Sequence, residues 1–86
     1  MHYLLFYEVG PDYAACRAPH RREHLRLAWE AHARGELVLG GAVGDPIESA
    51  VLFFRGDSPE VAERFAREDP YVLHGCVAAW KVLPWN

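Results

Sequence analysis

Glu36–Phe54, ELVLGGAVGDPIESAVLFF, reads as two apolar runs on either side of one polar break. Glu36–Val43 and Ser49–Phe54 each have the length and the Val, Leu and Phe content of a strand. Gly44-Asp45-Pro46 turns the chain between them. So short a connection leaves no room for a crossover, and the two strands are expected to pair antiparallel. Gly40-Gly41 weakens the first of them, which points to a bulge there or to the close approach of another group.

Working outward, a helical pattern lies on each side. Before the pair, Pro19–Arg34 is expected as one helix, with Pro19 in its first turn and Gly35 closing it at C′. Leu25, Ala28, Trp29 and His32 recur at i, i+3, i+4, i+7 as its apolar stripe, with Arg22, Arg26 and Glu30 opposite. After the pair, Ser58 as N-cap, Pro59 at N1 and Glu60 in the first turn open a second helix with Val61, Ala62, Phe65 and Ala66 on one face. A strand stands at each end of the chain. His2–Val9 directs Tyr3, Leu5 and Tyr7 one way and Leu4, Phe6 and Glu8 the other. Cys76–Leu83 is the last strand, expected to stop at Pro84. The order β-α-β-β-α-β gives a ferredoxin-like α+β domain, a four-stranded antiparallel sheet with two helices on one face. The strands are apolar on both faces while helices cover only one, which predicts a homodimer formed through the sheet.

Eighty-six residues form one domain, residues 1–86. A net charge of −3 argues against a nucleic-acid partner, and no apolar stretch is long enough to span a membrane. Cys16 and Cys76 show no CxxC spacing and are expected as reduced thiols in a cytoplasmic protein.

Chemistry concentrates near Glu68–Gly75, EDPYVLHG. Pro70 drives the residue before it out of the helical region, so Asp69 stands at a forced corner, and Gly75 ends the short turn that follows. Asp69 either caps that turn or orients a catalytic group. His24 lies beside the apolar stripe and is placed to face the sheet, either as a helix residue satisfied by backbone or as a partner of Asp69. Imidazole suits proton transfer near neutral pH, and a carboxylate beside it fixes its tautomer. Arg17 and Arg21, four apart near the helix start, are expected to hold a small anion, joined by free backbone N–H groups at that end. Tyr71 is positioned to cover a ligand with its ring or donate its hydroxyl. No metal is expected: His20 and His24 have a usable spacing, but HExxH is absent and no further ligand falls in step.

These residues also carry a resemblance. Arg17-Ala18-Pro19-His20-Arg21-Arg22-Glu23-His24-Leu25 resembles the R-x-P-x-R-x-x-H-L signature of the YciI-like, or YCII-related, family. Gly40-Gly41-Ala42, Asp57-Ser58-Pro59-Glu60, Asp69-Pro70-Tyr71-Val72 with Gly75, and Pro84-Trp85 resemble its other motifs, in order along the chain. The resemblance implies a dimeric ferredoxin-like protein of the dimeric α–β barrel kind and a His–Asp pair, here His24 and Asp69. It connects the chain to muconolactone-isomerase-like proteins and to a dehydrochlorinase of a chlorinated hydroxyhydroquinone. The short Gly44–Glu48 loop departs from the pattern and leaves no substrate contact to be expected from it. Two functions stay open: a cofactor-independent isomerase-like or dehydrochlorinase-like enzyme acting on a small anionic, aromatic or enolisable compound, and a non-catalytic module that binds a small anion or another protein.

Overall fold

A computed structural model describes all residues, Met1–Asn86. Its elements are β1 (His2–Val9), α1 (Tyr13–Arg17), a 3-10 turn (Ala18–His20), α2 (Arg21–Ala33), β2 (Leu37–Val43), β3 (Ser49–Arg55), α3 (Glu60–Glu68), α4 (Pro70–Leu73) and β4 (Val77–Trp85). The sheet order is β2-β3-β1-β4, and every neighbouring pair is antiparallel. This is the ferredoxin-like arrangement. Its sheet is open, with β2 and β4 as edges, so one chain forms no barrel.

Alternation along β1 sets the core. Tyr3, Leu5 and Tyr7 are buried under the helices and meet Leu52 and Phe54 of β3, while Ala62, Phe65 and Ala66 of α3 close over them. Burying a side chain of this size contributes on the order of 1.5–3 kcal/mol. The opposite face of the sheet carries Leu4, Phe6, Val51 and Phe53 with nothing above them, and Leu39 and Trp85 stand 70% and 56% exposed.

Four local expectations change. The helix foreseen from Pro19 starts earlier, as α1, and reaches α2 through the 3-10 turn, whose Ala18 carbonyl accepts from the Arg21 N–H. That donor is therefore spent inside the helix. The buried side of α2 is His24, Leu27, Ala28 and Ala31, one step round from the stripe read in the sequence, and Leu25, Trp29 and His32 are exposed. The register slip in β2 falls at Val38, the extra residue between Leu37 and Leu39, and not at the glycines. Gly40 instead gives close approach, since a Cβ there would lie 3.1 Å from Leu52 Cγ. Pro84 does not stop β4, because an edge strand tolerates a residue with no N–H to donate.

The cysteines require a larger correction. Cys16 of α1 and Cys76, just before β4, are disulfide-bonded across a sequence separation of 60. The thiols are not free, and the ground for placing the chain in a reducing compartment is gone. Closing a loop of that length restricts the unfolded chain by about 4 kcal/mol in the chain-entropy account. No helix is long and apolar enough to cross a membrane.

Candidate active site

The corner at Asp69 is built by its neighbours. Ahead of Pro70 the residue takes extended angles, φ −68° and ψ 122°, and ends α3 there. Its side chain turns back as the N-cap of α4, accepting from the Tyr71 N–H at 3.0 Å. Gly75, at φ +75°, releases the chain from the turn. The carboxylate is fully buried, and two further donors satisfy it. The Tyr7 hydroxyl donates to Oδ2 at 2.7 Å, and His24 Nδ1 lies 2.9 Å from Oδ1 and 3.0 Å from Oδ2.

A carboxylate only accepts, so Nδ1 of His24 is the donor in this contact. The Tyr71 ring stacks on the imidazole, centroids 3.9 Å apart and planes within 6°, and Phe65 meets it edge-on at 6.1 Å. Tyr71 is thus a wall behind His24. Its hydroxyl is buried and has no hydrogen-bond partner. Tyr13 packs edge-on against Tyr71, and the Arg17 guanidinium lies 5.2 Å from the Tyr13 ring centre.

These groups open onto a cleft of about 490 Å³ between α2 and β2. Arg17, Arg21, His24 and Tyr71 all line it, so the residues singled out in the sequence are brought together, Asp69 standing behind them. Arg17 and Arg21 form no ion pair, whereas Arg26, Arg34, Arg64 and Arg67 are each tied to a glutamate. The cleft is electropositive at that end. Burial raises the Tyr71 phenol above its ordinary value, and the charges of Arg17 and Arg21 oppose the shift without Arg21 reaching hydrogen-bonding geometry. Burial, and then the Asp69 charge, hold the Tyr7 phenol far higher. Burial also raises Tyr13, with Arg17 pulling it back. No group of three His, Cys, Asp or Glu side chains converges as a metal site. His20 and His74 stack on one another at 4.0 Å and take no part in the cleft lining.

Tyr7 is the member that sequence reading missed. The alternation of β1 marks it only as one of Tyr3, Leu5 and Tyr7 on a shared face. The available signal was its hydroxyl, since a buried phenol must find a partner where a phenylalanine would need none.

The YCII-related domain matches residues 1–86, the entire length. The chain belongs to the YCII-related family. This YCII-related protein is similar in structure to the 5-chloro-2-hydroxyhydroquinone dehydrochlorinase TftG from Burkholderia phenoliruptrix, solved with 2,5-dihydroxybenzoquinone: TM-score 0.81 at 21% identity, over 100% of this chain and 94% of that one. The structured domain of Caenorhabditis elegans BMY-1 follows at TM-score 0.58 and 15% identity, covering 100% and 97%. Protein Atu4242 of Agrobacterium tumefaciens gives 0.57 and 14%, covering 100% and 94%. At these identities the likeness shows a shared fold. No curated protein matches the YCII-related chain.

Proposed function

We propose that the cleft is the active site of a cofactor-independent proton-transfer enzyme for a small anionic, aromatic or enolisable compound. One observation carries this reading: His24 lines the cleft and its Nδ1 is held by the fully buried Asp69. Nε2 takes a proton from a carbon beside a carbonyl, and the electron pair passes to the carbonyl oxygen as an enolate. Arg17, Arg21 and the unpartnered Tyr71 hydroxyl stabilise that oxygen. In an isomerase-like cycle the imidazolium returns the proton to another carbon. In a dehydrochlorinase-like cycle the electron pair forms a C=C bond as the neighbouring C–Cl bond breaks, so that one proton and one chloride are lost. The structural likeness to TftG makes chlorinated hydroxyhydroquinones the first substrates to try.

The same reading includes a homodimer that covers the apolar sheet face around Phe6, Val51 and Phe53.

The test is turnover of chlorinated hydroquinones and enol-lactones by the wild type and His24→Gln. Loss of a placed general base is expected to slow the reaction by ~10²–10⁴-fold. Unchanged turnover in His24→Gln removes the base. Tight binding with no turnover of any compound favours the alternative, a non-catalytic anion-binding module.

A further inference from the structure

The cleft is longer than its chemistry requires. Arg21, His24, Leu25, Ala28, Trp29 and His32 follow one another along its α2 wall. At 1.5 Å per residue that run is about 16 Å long, whereas a six-membered ring with para oxygens spans roughly 6 Å from its bond lengths. The wall is also graded. Unpaired arginines and the Tyr71 hydroxyl occupy the end near the start of α2, and His24 comes next. Beyond Ala28 the lining is Trp29, Leu37 and Val38, and the one polar ring there, His32, has its Nδ1 occupied by the Leu37 carbonyl at 2.8 Å.

The exposure of that far end is unusual. Trp29 is 67% exposed, edge-on to His32 at 5.6 Å, with Val38 43% exposed on the strand side. Trp29 and His32 belong to the stripe that periodicity assigned to the core of α2, and the fold leaves them on the cleft instead.

We propose that the ligand of this cleft is elongated and amphipathic. An anionic, oxygen-bearing ring or enolate sits at Arg17, Arg21 and Tyr71, and an apolar aryl arm lies between Trp29 and Val38. The inference rests on the cleft being the ligand site described above, but not on its catalysing a reaction. It fixes orientation as well as class, because the far end offers no cation for the charged head and the near end offers no bare wall for the arm. It deepens the substrate reading from a single ring to a ring with an apolar substituent.

Calorimetric titration with two probes decides it: 2,5-dihydroxybenzoquinone, and the same quinone bearing a phenyl group at ring carbon 3. The phenyl probe is expected to bind the wild type at least about tenfold more tightly, the scale of an apolar group filling a matching pocket. In Trp29→Ala that ratio should fall toward one, and Val38→Asp, on the opposite wall, should collapse it in the same way. Circular-dichroism melting establishes that both variants are folded. Equal binding of the two probes by the wild type overturns the inference, as does a ratio that survives both substitutions. So does a dimer that Trp29→Ala converts to monomer in sedimentation, because the exposed tryptophan then belongs to a contact between copies. A tenfold ratio with no turnover of the chlorinated hydroquinones or enol-lactones upholds the arm site and counts against the proton-transfer reading. Turnover with a ratio near one does the reverse.

Discussion

Asp69 is held by three donors drawn from three parts of the chain: Tyr7 of β1, His24 of α2 and the Tyr71 N–H of α4. A buried carboxylate is tolerated only where such bonds replace water, and each bond to a charged group contributes about 1.5–3 kcal/mol. Tyr7→Phe removes one donor and nothing else of its shape. We expect a loss of about 1–3 kcal/mol near neutral pH, read by urea denaturation. The same phenol governs alkaline behaviour. Below its ordinary value of 10.0, Tyr7 is neutral in both folded and unfolded chains, and its contribution is complete. Above 10.0 the unfolded chain releases a proton that the folded chain retains, and stability falls by about 1.4 kcal/mol per pH unit from this one group. Tyr7→Phe should therefore show a shallower alkaline decline than the wild type. Equal slopes would mean that the Tyr7 phenol is not shielded.

At the scale of elements, the turn Asp69–Gly75 was readable because its two governing residues act through the backbone. Proline restricts the residue before it, and glycine permits a positive φ, whatever the rest of the chain does. Gly75 meets nothing within 4 Å of a built Cβ, so its φ of +75° is the whole reason for glycine there. Gly75→Ala is expected to lower stability by about 1–2 kcal/mol, the cost of a left-handed conformation with a Cβ. Thermal melting checks it, and an unmoved midpoint would show that the turn relaxes without cost. The order of strands and helices was equally legible, since period-two and helical patterns are local. Two things were not. The α2 stripe was read from hydrophobicity alone, and Trp29 and Leu25 are apolar yet line a cleft, so the inward face lies one step round. The short α1 carries no apolar periodicity beyond Tyr13, and without α1 nothing brings Cys16 near Cys76.

For the molecule as a whole, one sheet face is buried beneath helices and the other holds Leu4, Phe6, Val51 and Phe53, half-buried and covered by no helix, with Trp85 against Phe53 at 5.2 Å. A contiguous apolar face of this kind marks an interaction surface, and in the proposed homodimer a second copy covers it. Sedimentation equilibrium should give twice 9.8 kDa at micromolar concentration, with an interface of roughly 1,200–2,000 Å² or more. Phe53→Glu, which sets charge opposite charge across a symmetric contact, should yield the monomer. A wild-type mass of 9.8 kDa would leave that face to another partner.

The bond between Cys16 and Cys76 turns most of this chain into a closed covalent circuit. Residues 16–76 run through it and contain α2, β2, β3, α3 and α4, while the arms outside it are residues 1–15 and 77–86. Those arms hold β1 and β4, which lie side by side in the sheet. A single backbone cut anywhere on the circuit, the exposed Gly44–Pro46 turn included, therefore leaves one molecule. Its two pieces stay joined at the sulfurs and along the sheet, and they part only when the sulfur link is reduced and the strands are unzipped.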